Sequence, residues 1–312
     1  MSLERALELA ERGRGTTHPN PVVGAVVVRD GETVGEGWHE RKGGPHAEVI
    51  ALRAAGDRAR GATLYVTMEP CAHHGSTPPC TDAVLAAGIA KVVAGSLDPN
   101  PEAGGGLEVL RAGGVKVEHA DSAAARAQNE AWRTWAADGR PFVILKLGLT
   151  LDGRAATPGT RWVTGEESRR RVHELRAEVD AVAVGMGTVR ADDPKLTARD
   201  IGAERQPRRL AFGRGPLPAG SELELLTGPL ADELAHLAAD GVQSLLLEGG
   251  PMLASSFLRA DLVDKVLLFV APRIAGAGVA FTPELPEPIE LRQLKAEPVG
   301  DDVLLTAYVH EP

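Results

Sequence analysis

Short apolar runs alternate with amphipathic, helix-spaced stretches along most of this 312-residue chain. Few architectures accommodate that alternation. Leu3–Arg12 has helical spacing. Val22–Val28 reads as a buried strand, paired with Thr33–Trp38 across Asp30-Gly31, a strong hairpin signal. His46–Ala55 reads as a helix, Thr63–Met68 as a strand, Asp82–Ala87 as a helix stopped at Gly88, and Lys91–Gly95 as a strand. Another helix and strand run through Val117, and an Ala-rich helix covers Ser122 to Ala137. Strands interleaved with helices bury their apolar faces by layering helices over one sheet, which predicts an α/β fold.

The helical pattern breaks at Asp138-Gly139-Arg140-Pro141. A second strand series then begins at Phe142–Leu147 and continues through Ala181–Val184, Arg209–Phe212, Leu245–Leu247 and Lys265–Val270. Val303–Val309 alternates like an antiparallel edge strand. These breaks predict two domains, 1–141 and 142–312, both of ordinary size.

Composition narrows the classes of partner. The formal net charge is -9, and the one basic cluster is Arg169–Arg170–Arg171. That cluster suits a solvated helix face better than a phosphate-binding patch, and nucleic acid is not expected as a partner. The N-terminus lacks a basic-then-apolar leader pattern and no apolar run has membrane-spanning length. A cytoplasmic location without membrane contact is expected.

The chain has two cysteines, Cys71 and Cys80. In a reducing compartment they are core thiols, reactive thiols or metal ligands. Pro45-His46-Ala47-Glu48 and Glu69-Pro70-Cys71 followed by Cys80 supply one imidazole and two thiolates, a catalytic zinc set with one position left open. A carboxylate beside the metal but not bound to it can carry protons, which assigns that role to Glu48. Positions i and i+2 diverge by roughly 200° within a helix, so His46 and Glu48 converge only at a helix start. The bland alternative makes His46 a helix cap and both cysteines core residues.

His-x-Glu followed by Pro-Cys and a second Cys resembles the cytidine-deaminase-type zinc deaminases. The eight residues between the cysteines, with Thr17-His18-Pro19-Asn20-Pro21-Val22-Val23-Gly24 upstream, are similar to the deaminase half of the bifunctional riboflavin-biosynthesis deaminase/reductase family. The resemblance implies an N-terminal cytidine-deaminase-like, three-layer α/β/α domain. It also implies a phosphorylated substrate, a diaminopyrimidinone with a phosphoribosylamino group, whose ring amino group is replaced by water. Asn20, His39 and His73 would contact it, and each is otherwise an ordinary loop hydrogen-bonding residue.

In the second half, Gly185-Met186-Gly187-Thr188 and Glu248-Gly249-Gly250-Pro251 follow apolar strands. Glycines between strand and helix let backbone approach phosphate, and two such turns in one sheet suggest a nucleotide cleft. Lys146–Arg154, Arg161–Thr164, Gly187–Thr197 and Leu247–Pro251 resemble the reductase half of the same family. That implies a C-terminal dihydrofolate-reductase-like α/β domain using NADPH. By motif position Trp162, Thr188, Asp192 and the segment Gly250, Pro251, Met252, Leu253, Ala254, Ser255 and Ser256 would hold NADPH. Thr160, Arg176, Leu196, Arg199 and Glu248 would hold substrate, the two arginines through its phosphate. A homodimer through the second domain is implied by the family alone. The chain departs from the family pattern after Phe212, where Gly213-Arg214 replaces an Asp-Ser pair and the stretch to Leu245 looks short by about one strand–helix unit. Either Arg214 compensates, meeting the extra phosphate of the cofactor, or the reductase is impaired; the alternative reading of the second half is a noncatalytic dimerisation and docking module.

Overall fold

The structure is a computed structural model that describes residues 2–74, 78–100, 103–159, 162–281 and 285–312. Two compact units are present, Met1–Asp138 with Pro312, and Gly139–Glu311.

The first unit runs α1 (Ser2–Glu11), β1 (Gly24–Arg29), β2 (Glu32–Trp38), α2 (Ala47–Ala55), β3 (Thr63–Val66), α3 (Cys80–Ala86), β4 (Lys91–Ala94), α4 (Gly106–Ala112), β5 (Lys116–His119), α5 (Ala123–Gln128) and α6 (Glu130–Asp138). The sheet order is β2-β1-β3-β4-β5. Strand β1 is antiparallel to both neighbours, while β3, β4 and β5 are parallel. Asp30 and Gly31 both have positive φ, 52° and 83°, and close the predicted hairpin.

Side chains of β1 alternate between two layers, as a strand's period of two requires. Ala25 and Val27 pack with Ala47 and Ala51 of α2, whereas Val26 packs with Ala6 and Leu9 of α1. Helices therefore cover both faces, giving the expected three layers. Helix α2 lies unusually close to β2, because a Cβ on Gly37 would come within 2.6 Å of the Ala47 carbonyl oxygen.

The Ala-rich helix expected over Ser122–Ala137 is instead two helices, α5 and α6, broken at Asn129. The buried Asn129 amide accepts from Val22 N (2.9 Å) and donates to Val22 O (2.8 Å). A side chain held to a neighbouring strand segment competes with continuous helix.

The second unit contains β6 (Phe142–Thr150), β7 (Arg154–Ala156), α7 (Glu166–Glu178), β8 (Ala181–Gly185), α8 (Met186–Asp192), β9 (Arg208–Phe212), β10 (Glu224–Leu226), α9 (Leu230–Ala239), β11 (Ser244–Leu247), α10 (Pro251–Arg259), β12 (Lys265–Ala271), β13 (Val279–Ala280), β14 (Arg292–Val299) and β15 (Asp302–Tyr308). Eight strands form one sheet, ordered β10-β9-β8-β11-β6-β12-β15-β14, and β13 pairs with β7. The run from β10 to β12 is parallel; β15 and β14 are antiparallel additions. The odd-numbered residues Val143, Leu145, Leu147 and Leu149 of β6 join Phe257 and Leu234 in the core. By strand alternation Lys146 and Gly148 face the other way.

Val303–Val309 is not at the sheet edge, because β14 covers it; β14 is largely exposed and lacks the strong apolar run of the other strands. The stretch between Phe212 and Leu245 holds one strand–helix unit, β10 with α9, whose three-residue strand is too short to show as an apolar run.

Candidate functional site

His46 is the N-cap of α2, with extended backbone (φ -73°, ψ 160°), and Glu48 lies in the first turn. Because His46 is off the helical spiral, its ring and the Glu48 side chain converge despite their spacing. Cys80 is the first residue of α3. Cys71 comes from the loop after β3.

His46 Nδ1 lies 3.2 Å from Cys80 Sγ and 3.6 Å from Cys71 Sγ, and all three donor atoms fall within 4.8 Å of one another. Tetrahedral zinc with Zn–S near ~2.3 Å and Zn–N near ~2.0 Å places such donors ~3.5–3.8 Å apart, so the set fits the ion. The Cys80 N–H donates to Cys71 Sγ at 3.3 Å. Hydrogen bonding from the Cys80 thiol holds Cys71 well below the usual thiol range, against the effect of burial, and the same bond pushes Cys80 up. One proton shared by two thiols is what a cation displaces.

Glu48 is 3% exposed, and its carboxyl sits against the Cys80 thiol and the His46 ring. Burial raises its pKa, with the imidazole opposing. His39, also buried, packs edge-on against His46 with ring centroids 5.3 Å apart. Its Nδ1 lies 3.1 Å from the Pro45 carbonyl, which can only accept, so Nδ1 carries the proton. Nε2 then accepts from Asn20 Nδ2 at 3.2 Å, which fixes the Asn20 amide orientation. Burial depresses the His39 pKa and favours this neutral ring. His73 is exposed and interacts electrostatically with Asp98.

The sequence reading passed over Glu69. Buried at 6% exposure, it accepts from Leu107 N at the start of α4 (2.8 Å) and from Asp98 N (3.2 Å). Gly106 meets the Pro70 carbonyl so closely that a Cβ there would lie 1.7 Å from its oxygen. The Cys71 loop is thereby clamped to α4. A Glu immediately before Pro-Cys was the available signal.

In the second unit a cavity of about 1400 Å³ opens at the carboxyl ends of β8, β9 and β11. Its wall includes Trp162, Thr188, Asp192, Gly250, Pro251, Met252, Leu253 and Ser256, and also Arg176, Arg199 and Glu248. Ala254 and Ser255 are buried instead, on the side of α10 turned from the cavity, and Ala254 belongs to the core. Leu196 is 2% exposed. Thr160 lies outside the described residues.

At the cavity's inner wall Glu248 takes a two-pronged bond from Arg176 (2.6 and 3.0 Å) and a 3.1 Å contact from Lys146 Nζ. Arg176 also donates to the Thr197 carbonyl, so its fork is occupied by protein groups. Arg199, half exposed with Asp200 3.8 Å away, keeps donors for an anion. Lys146 had no role in the sequence reading; a lysine inside the apolar run Phe142–Leu147 was its signal. Glu248 reaches it because β11 pairs with β6 at Leu247 and Leu145.

A donor triad with a buried carboxylate in one unit, and a glycine-bordered cleft over parallel strand ends in the other, define a zinc deaminase fused to a nucleotide-dependent reductase. Known proteins agree with that division. Residues 2–96 match the cytidine and deoxycytidylate deaminase zinc-binding region, and 141–305 match the RibD C-terminal domain. The riboflavin biosynthesis protein RibD of Aquifex aeolicus is 40% identical over 342 residues, covering 97% of this chain and 96% of its own. The solved structure of Acinetobacter baumannii RibD has a TM-score of 0.85 at 35% identity, covering 98% of this chain and 97% of that one. The diaminohydroxyphosphoribosylaminopyrimidine deaminase/5-amino-6-(5-phosphoribosylamino)uracil reductase of Thermotoga maritima has a TM-score of 0.82 at 36% identity, with 98% and 97% covered. The chain belongs to the RibD family of riboflavin-biosynthesis enzymes, bifunctional deaminase/reductases that use zinc and NADPH. The match over 141–305 favours the reductase over a noncatalytic docking module. Among the described residues no helix is long and apolar enough to cross a membrane.

Proposed function

We propose that His46, Cys71 and Cys80 hold the zinc and that Glu48 is the proton carrier of the deamination. The observation that carries this is the cluster of His46 Nδ1 and two Sγ atoms within 4.8 Å, with the Glu48 carboxyl buried against it. The substrate is the diaminopyrimidinone with a phosphoribosylamino group. When bound, zinc supplies the Lewis acidity that makes water nucleophilic near neutral pH. Glu48 takes a proton from that water and delivers it to the ring and the departing ammonia. Asn20, oriented by His39, binds the pyrimidine edge, and His73 is a further substrate contact.

In the second unit the turn Glu248-Gly249-Gly250 and the start of α10 hold NADPH together with Trp162, Thr188 and Asp192. NADPH supplies hydride for the ribosyl carbon, opening the sugar to a ribityl chain. Glu248, fixed by Lys146 and Arg176, faces the sugar, and Arg199 binds its phosphate. Domains of 1–141 and 142–312, a cytoplasmic location and a homodimer through the second domain complete the reading.

Replacing Glu48 by Gln tests it. Ammonia release should fall by about 10²–10⁴-fold while zinc content and NADPH oxidation on deaminated intermediate stay unchanged. Retained deamination would remove Glu48 from the mechanism.

A further inference from the structure

We propose that Arg190 recognises the 2′-phosphate of NADPH and so sets the preference for NADPH over NADH. This rests on the reading of the second-unit cavity as the NADPH site. Arg190 lines that cavity from α8, next to Asp192 and opposite Phe212 and Gly213 at the end of β9. Its Nη2 donates to the Arg214 carbonyl at 2.6 Å. The turn closes around the guanidinium: Gly215 has φ +108°, and a Cβ there would sit 2.8 Å from Arg190 Nη2. One donor is thus fixed by the backbone, leaving the others of the planar fork for an anion.

The cavity's remaining cations are engaged. Lys146 and Arg176 are bound to Glu248. Arg170 pairs with Glu174 at 3.4 Å, and Arg199, beside Asp200 at 3.8 Å, is given to the substrate phosphate in the proposed function. Arg169 stacks over Trp162 and donates to the Thr164 carbonyl. Arg190 has no carboxylate or ring partner among the described residues.

NADPH differs from NADH only by a phosphate on the adenosine ribose. An acidic side chain in a nucleotide cleft favours a free ribose hydroxyl and repels that phosphate. Asp192 lies on the same wall, so a preference for NADPH needs a nearby cation to outweigh it. Arg190 lines the same cavity from the same helix. The Gly213-Arg214-Gly215 turn contributes a carbonyl that aims Arg190. The Arg214 side chain, exposed and outside the cavity lining, is not the phosphate ligand on this assignment.

The test is calorimetric titration of the full-length zinc protein with NADPH, NADH and 2′,5′-ADP. The wild type should bind NADPH more tightly than NADH. Arg190→Ala should weaken NADPH and 2′,5′-ADP by about 10- to 100-fold, the range for hydrogen bonds to a charged group, and NADH by less than about 2-fold. Arg190→Lys should recover part of the loss, and unchanged NADH affinity shows that the cleft is intact. If Arg190→Ala weakens both nucleotides equally or neither, or the wild type does not discriminate between them, the assignment to Arg190 falls and the NADPH cleft stands. A wild type that binds neither nucleotide overturns the cleft reading and the assignment with it.

Discussion

At the residue scale, Glu248 shows which effect wins when a carboxylate is buried. Burial raises its pKa, but Lys146 and then Arg176 overcome that and hold it at about 2. An unfolded glutamate titrates near ~4.3, so as pH falls the unfolded chain takes up the proton first. The stabilisation is complete above ~4.3 and is lost as pH falls through about 2. Denaturant unfolding of the wild type across that window should show an acid-dependent component that Glu248→Gln lacks. At neutral pH the same variant leaves two cations facing a neutral amide and should cost about 3–5 kcal/mol. Only part of this site was legible in sequence: Arg176 and Glu248 were named from their motifs, while Lys146, inside an apolar strand, was not. That they meet depends on β11 inserting between β8 and β6, a strand order that no local pattern encodes.

At the element scale the zinc site depends on how α2, α3 and the Cys71 loop are held together. Motif spacing was enough to single out the three proposed ligands, whose donor atoms the fold brings within 4.8 Å of one another, because metal chemistry restricts donor types sharply. The supporting contacts were not visible, because they join segments far apart in the chain. Glu69 bonds to the start of α4, and Asn129 bonds to Val22, two residues from Asn20. Glu69→Ala strips the acceptor from two backbone N–H groups and should destabilise the protein by about 2–4 kcal/mol. Zinc should pass to a competing chelator faster than in the wild type, with Glu69→Gln intermediate. Equal release rates would show that the clamp does not hold the ligand loop. Asn129→Ala should raise the KM for deamination more than it lowers kcat, because Asn129 anchors the segment bearing Asn20 and touches no donor of the metal.

At the scale of the whole molecule, the residues proposed for each chemistry fall within one unit. His46, Glu48, Cys71 and Cys80 belong to the first, and every residue lining the cavity belongs to the second. Zinc binding free energy is also folding free energy for the unit that holds the ion. Chelation should therefore lower the stability of the first unit and spare the second. Calorimetry of the metal-stripped protein should resolve two unfolding transitions, the lower one moving back up when zinc is restored. The upper transition should rise with NADPH in the presence or absence of zinc, since a ligand stabilises the unit that binds it. In the same sample ammonia release should disappear while NADPH oxidation on the deaminated intermediate continues. A single transition that shifts as one with zinc, together with loss of both activities, would mean that the two units are energetically coupled and that the reductase depends on the metal-bound fold of its neighbour.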